Sequence, residues 1–255
     1  MLHPAALPSM HRVPPPAAAE GWVRWFWIPE WDLPPGAVSR QDLLPFPACN
    51  LVVEHDLVGL AGPSTRTGSR ELAGRGWAVG ALLRPAAVPH LTPDPHALRD
   101  RYEPLDMPQL HDAVSTAMTG GGDGRRTRAV EAFTAWLVAT LPPPDADGLL
   151  ANALADLVDG DPTVLQVQDA ADRLGVSART LQRLTRRCIG LPPAAMIRRR
   201  RLQEAAERLR TDPDADLASL AADLGYADQA HLSRDFRTTL GFTPSAYRSE
   251  HQGAS

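Results

Sequence analysis

Amide, hydroxyl and guanidinium side chains fall at helical spacing in the segment Gly225-Tyr226-Ala227-Asp228-Gln229-Ala230-His231-Leu232-Ser233-Arg234-Asp235-Phe236-Arg237. Gln229, Ser233, Arg234 and Arg237 share one side of a predicted helix, and these residue types hydrogen-bond base edges and phosphates. Leu232 and Phe236 sit four apart on the other side and give the helix something to bury. The chemistry on offer is recognition of a polyanion with ordered hydrogen-bonding edges.

Such side chains need a support that fixes their direction. Leu217, Leu220, Ala221 and Leu224 line one face of a preceding short helix, and Gly225 supplies the left-handed position that ends it. Asp228 then serves as N-cap of the second helix. The pair is a helix-turn-helix. Residues 167–184 repeat it: Gly175 precedes Gly225 by fifty positions, while Leu181, Arg183, Gly190 and Pro193 precede Leu232, Arg234, Gly241 and Pro244 by fifty-one. The second copy therefore has one extra residue in its turn. Two such units in register are a specific signal.

Residues 160–250 resemble the AraC/XylS family of bacterial transcription regulators, most sharply from Gly225 through Gly241-Phe242-Thr243-Pro244-Ser245-Ala246-Tyr247-Arg248. The resemblance implies sequence-specific binding of double-stranded DNA. It places Arg179, Gln182, Arg183 and Arg186 on the first recognition helix, and Gln229, His231, Ser233, Arg234 and Arg237 on the second. Matched to the family pattern, Arg179, Gln182, Arg183, Gln229 and Arg234 are the base readers. Arg186 and Arg237, further along their helices, suit phosphate. There are two departures: Thr185 stands where the first unit usually has an aromatic residue, matching Phe236 in the second, and Ala230 occupies a position that often reads bases.

Charge distribution agrees with this placement. All 26 basic residues are Arg, as a GC-rich coding bias would give, so their number alone says little. Residues 1–160 carry 12 Arg against 18 acidic residues, whereas 163–210 carry 11 against 4, a net of +7. A basic stretch on a protein of net charge −4 is an electrostatic footprint. Arg198-Arg199-Arg200-Arg201 lies in a helix opened by Pro192-Pro193. Four consecutive residues encircle a helix, so one or two are expected at phosphate and the rest in solvent or beside Glu204 and Glu207. This helix is expected to act as a stiff spacer between the units.

Ahead of it, Trp, Pro and Gly punctuate short apolar runs at 22–28, 50–54, 56–60 and 76–83, as in a small antiparallel β domain. Leu44-Pro45, Ala61-Gly62-Pro63 and Leu83-Arg84-Pro85-Ala86-Ala87 accompany the Trp-rich opening. This part resembles the diverged cupin-like sensor domain that precedes many AraC-type DNA-binding domains. The expected fold is α+β: a Pro/Ala-rich disordered tail at 1–20, a cupin-like domain at 21–118, a helical linker at 119–159, and an all-α double helix-turn-helix domain at 160–250. Helices are predicted at 108–118, 125–141 and 148–159. Ala129, Val130, Phe133, Trp136, Leu137 and Leu141 form an apolar face that serves either self-association or a cover on the β domain.

Other chemistries fare poorly. Glu54-His55-Asp56 lacks the His-x-His of a metal-binding cupin, and Gly120-Gly121-Gly122 reads as a linker. Some repair methyltransferases fuse an AraC-like unit to reactive cysteines, but neither Cys49 nor Cys188 has the neighbours that activate a thiol. No catalytic residue, metal or cofactor is expected. The aromatic cluster Trp22, Trp25, Phe26, Trp27 and Trp31 is suited to line an apolar effector pocket, and Trp25, Trp27 and Trp77 are its candidate walls, with core packing as the competing role. With two cysteines, no signal peptide and no membrane-length apolar run, a cytoplasmic, nucleoid-associated protein is expected. Expected partners are promoter or operator DNA, a small-molecule effector, a second copy of the chain and, for an activator, RNA polymerase. The alternative is a small-molecule-binding cupin-like enzyme using its helices as an interaction module.

Overall fold

The computed structural model describes residues 9–252 apart from 44, 45, 67, 121, 123 and 213. Among the described residues eight strands come first: β1 (Ser9–Val13), β2 (Val23–Asp32), β3 (Val38–Leu43), β4 (Asn50–Glu54), β5 (Val58–Ala61), β6 (Gly68–Ala73), β7 (Arg75–Leu83) and β8 (Tyr102–Leu105). Six form an antiparallel sheet in the order β1-β2-β7-β4-β5-β8, and β3 pairs with β6 in a separate ribbon. The small antiparallel β domain expected from the sequence is present.

Strand alternation sends Phe26, Ile28, Leu51, Val53, Val79 and Ala81 to one face, where all six are buried. Helices α1 (Pro108–Thr119) and α2 (Arg125–Thr140) cover that face with Leu110, Val114, Ala129, Phe133 and Leu137. Phe133 meets Phe26 edge to face, with 5.4 Å between ring centroids, a favoured aromatic arrangement. The apolar face of α2 is thus the cover of the β core, and the expectation of a self-association face there gives way to intramolecular packing.

The opposite face is closed by polar pairs. Trp27 lies flat over its register partner Gly80, where a Cβ would stand 2.0 Å from the ring, and its Nε1 donates to Asn50 Oδ1 at 2.9 Å. Glu54 accepts a two-pronged ion pair from Arg70 of β6 and a 2.5 Å hydrogen bond from the Tyr102 hydroxyl. Burial and the Glu54 charge both raise the Tyr102 pKa, so the phenol stays protonated as donor.

Two boundaries differ from the sequence reading. The expected disordered tail holds β1, which pairs with residues 26–30 of β2, and a 3₁₀ turn at Ala17–Ala19 whose Ala19 is buried. The open edge of β2 supplies partners that local composition does not reveal; residues 1–8 lie outside the described residues. The expected linker at 119–159 is divided. Helix α2 packs on the sheet, while α3 (Ala146–Gly160) gives Ala151, Leu154 and Val158 to a second core.

That second core also holds α4 (Val167–Leu174), α5 (Ala178–Cys188) and the start of α6 (Pro193–Thr211) through Met196 and Ile197. The far half of α6 passes Leu202, Ala205 and Leu209 into a third core with α7 (Leu217–Asp223), α8 (Gln229–Leu240) and α9 (Pro244–Gln252). One helix therefore serves two cores. Helix α6 has 19 residues. At the usual helical rise it is about 28 Å long.

Truncating Phe133 to alanine removes a fully buried ring and its partner contact. Phe133→Ala is expected to lower the stability of the β domain by about 3–5 kcal/mol, read by urea unfolding followed through tryptophan fluorescence.

Candidate nucleic-acid interface

The first unit is built from local rules the sequence obeys. Asp169 accepts from the backbone N–H groups of Leu165 and Gln166, both at 2.8 Å, and so starts α4. Gly175 ends it at φ 64°, the left-handed closure that glycine adopts at little cost. Ser177 caps α5 by accepting from Thr180 N at 3.1 Å. The helix buries Leu181, Leu184, Thr185 and Cys188, which leaves Arg179, Gln182, Arg183 and Arg186 exposed. Thr185, in place of an aromatic residue, is buried with its hydroxyl donating to Gln182 O at 3.2 Å. That bond satisfies the hydroxyl within its own helix.

In the second unit Gly225 turns the chain at φ 70° and Asp228 accepts from His231 N at 2.6 Å. Leu232 and Phe236 are buried; Gln229, His231, Arg234 and Arg237 are exposed and Ser233 is half-buried. The His231 ring stands edge-on to buried Tyr226 at 5.1 Å, so this side chain also packs the turn. Gly190 and Gly241 close the two recognition helices at φ 85° and 87°.

Charge is spent unequally on the two helices. Arg179, Arg186, Arg234 and Arg237 enter no ion pair among the described residues. Arg183 is held by Asp147 of α3, with Nη1–Oδ2 at 2.9 Å and Nη2–Oδ1 at 3.4 Å. Arg187, one turn further along α5, reaches Asp147 at 3.1 Å and Asp145 at 3.3 Å. The sequence reading leaves Arg187 out, although its i+4 spacing from Arg183 puts both on one face.

The four consecutive arginines of α6, Arg198 to Arg201, each meet a protein neighbour. Arg198 makes a pair of hydrogen bonds to Asp235 of α8 at 2.7 and 2.8 Å. Arg199 lies over the Phe46 ring at 4.5 Å, and burial lowers its pKa to about 10. Buried Arg200 donates to Val164 O at 3.0 Å and to Glu204 at 2.6 Å. Arg201 stacks on Tyr226 at 3.9 Å, a cation–π contact. Arg200 takes the expected Glu204, whereas Glu207 pairs with Arg210; Arg198 keeps an exposed side chain beside its ion pair.

The candidate effector walls do not converge. Trp77 borders a cleft of about 530 Å³ at the end of the sheet, together with Trp31, Glu30, Arg75, His55 and Arg125. Trp27 covers Gly80 on the opposite face. Trp25 is stacked under Arg12 at 3.6 Å and meets Phe46 edge-on at 5.7 Å. Trp31, a member of the Trp-rich opening cluster, lines the same cleft as Trp77, with its ring over its register partner Gly76. Among the described residues, no group of three or more His, Cys, Asp and Glu side chains gathers in a metal-binding arrangement.

Residues 170–250 match the model of a helix-turn-helix domain, and residues 11–104 match that of a domain of unknown function, DUF6597. The regulatory protein SoxS of Salmonella typhimurium is 39% identical over 84 residues, which cover 33% of this chain and 78% of SoxS. The transcriptional activator AarP of Providencia stuartii is 34% identical over 89 residues, covering 35% of this chain and 65% of AarP. The transcriptional activator RhaS of Escherichia fergusonii is 33% identical over 104 residues, covering 41% of this chain and 37% of RhaS. The alignments thus take in less than two thirds of AarP and of RhaS. The solved structure of ToxT from Vibrio cholerae O395 aligns over 97% of this chain and 98% of its own, at 12% identity and a TM-score of 0.41.

Both thiols are buried, and burial pushes Cys49 up to about 12 and Cys188 up to about 11, the latter despite Arg187 nearby. In the native protein at pH 8 both are expected to resist iodoacetamide, with alkylation appearing only on unfolding. Mass spectrometry after timed labelling checks this, and rapid native labelling of Cys188 would contradict the buried placement.

Proposed function

Because the chain belongs to the AraC family of transcription regulators, we propose that it binds promoter DNA through α5 and α8 together. The observation that carries this reading is the paired geometry: two helices, each entered after a left-handed glycine and capped by Ser177 or Asp228, each present unburied arginines from a shared rod. A helix so presented fits the major groove, and a rod of about 28 Å suits successive grooves about 34 Å apart.

In this reading Arg179, Gln182, Arg183, Gln229 and Arg234 read base edges. Arg186 and Arg237 bind phosphate, with His231 and Ser233 beside them. Relatives such as AarP and RhaS are named as activators, which favours activation and contact with RNA polymerase. No helix among the described residues is long and apolar enough to cross a membrane. The N-terminal domain is assigned effector sensing, and the cleft between Trp31 and Trp77 is the surface offered for it. Guanidinium and carboxylate groups from Arg75, Arg125, Glu30 and Asp32 ring its aromatic walls. That composition suits a flat, partly apolar ligand with a polar end.

Selection of genomic fragments by the full chain, followed by titration over a salt series, tests the proposal. Affinity for a selected duplex is expected to fall steeply with salt as phosphate contacts release counterions; a flat salt response or equal affinity for scrambled DNA would reject it. Arg234→Ala is expected to cost about 1–3 kcal/mol and to relax discrimination at one base pair. Arg237→Ala is expected to weaken all sequences alike and to reduce the salt slope by about 1.

A further inference from the structure

The two recognition helices carry equivalent arginines in unequal states. Arg183 and Arg234 occupy the same position in their units. Arg234 enters no ion pair among the described residues, whereas both terminal nitrogens of Arg183 are taken by Asp147. Those nitrogens are the fork an arginine uses on a guanine edge or a phosphate. While Asp147 holds them, the end-on fork of Arg183 is taken, and only its outward N–H groups stay free. Arg187 is drawn to the same carboxylate and to Asp145, so one acidic turn occupies one face of α5. The hydrogen bond from Arg183 and the two nearby charges hold the Asp147 carboxyl below its usual pKa, which keeps the counter-ion charged near neutrality.

Asp147 is not placed by the first unit alone. It lies in the first turn of α3, whose length is fastened to the β domain. Gly148 abuts Ala86, where a Cβ would stand 3.0 Å from the alanine methyl. Asn152 accepts from Ala86 N at 2.9 Å and donates to Gly21 O at 3.0 Å. Asp156 and Asp159 pair with Arg84 and Arg24. The acidic turn is therefore carried on a helix that answers to the N-terminal domain, while its charge falls on the recognition helix.

We propose that Asp147 is an internal competitor of DNA: it occupies Arg183 and Arg187 and restrains the contribution of the first unit to affinity and base discrimination. The anchorage of α3 makes this pair a point at which the N-terminal domain acts on the first recognition helix, beside the direct contact of Gly190 with Pro95 and His96. The inference rests on the reading of α5 as a DNA-contacting helix. It differs from a buttress, in which a carboxylate holds an arginine by its inner nitrogen and leaves the fork free for the base.

The test uses the full chain, a duplex recovered by genomic selection and a scrambled duplex of equal length. Asp147→Asn keeps the side-chain shape and leaves the Asp145 cap in place. It is expected to bind the selected duplex about two- to fivefold more tightly, the range of an exposed ion pair, with a steeper salt dependence because two more arginines reach DNA. The gain is expected to vanish when Asp147→Asn is added to an Arg183→Ala, Arg187→Ala background, the signature of coupling through those side chains. Weaker binding by Asp147→Asn would show a buttress and overturn the proposal. Unchanged binding, or an equal gain in the arginine-free background, would overturn it too, the latter in favour of a general charge effect. Failure of every variant to bind any selected duplex would overturn the function proposed above and this inference with it; binding by the wild type with no response to Asp147→Asn overturns this inference alone.

Discussion

The buried amide of Asn152 joins the two halves of the molecule. Such a group is costly to desolvate unless both of its ends find partners. Here its oxygen takes the Ala86 N–H and its nitrogen the Gly21 carbonyl, both on the β domain. Sliding α3 along the β domain would break both bonds and leave the buried amide unpaired, a cost that apolar contact alone would not impose. The carboxylates of Asp156 and Asp159, on the same helix, add orientation through Arg84 and Arg24. A second close approach reinforces it: Gly190, at the end of α5, meets the backbone of Pro95 so closely that a Cβ would stand 2.4 Å from the carbonyl oxygen, and His96 Nδ1 donates to Gly190 O at 3.1 Å.

The two helix-turn-helix units share a design and differ in their attachments. The first is held on the β domain by α3, Gly190 and Arg199, and its core is continuous with α3. The second is held by the far half of α6, the Arg198–Asp235 pair and the Arg201–Tyr226 stack. Buried Thr185 fits this division. Where the second unit places Phe236, edge-on to Tyr247, the first needs less volume because α3 supplies Ala151, Leu154 and Val158 to the same core.

What could be read from the sequence was what local rules determine. Gly175 and Gly225 mark left-handed turns because few other residues sit there cheaply, and Ser177 and Asp228 mark helix starts because they cap by their own side chains. The apolar strands β2, β4 and β7 and the helices α1 to α3 announced themselves by periodicity. Strands β3 and β6 did not: Val38-Ser39-Arg40-Gln41 and Gly68-Ser69-Arg70-Glu71 carry polar side chains suited to a ribbon edge. Strand β1 stayed hidden because its partner lies in β2, beyond a Pro-rich turn. The destination of an amphipathic face is also a tertiary fact, so Phe133 of α2 looked equally fit for a second copy and for Phe26. The hold of Asp147 on Arg183 spans 36 positions, and no spacing rule reaches so far.

The run Arg198 to Arg201 keys α6 to its surroundings in every direction. Arg198 is bolted to α8, Arg199 to the β domain, Arg200 to the segment before α4, and Arg201 to the turn of the second unit. A shaft keyed on all sides cannot roll, and both recognition helices inherit its fixed phase. In the DNA-bound state proposed above, a mismatch between that phase and the groove repeat would fall on the nucleic acid, as bending or altered twist between the two grooves. Base pairs that no side chain touches would influence affinity through their stiffness alone.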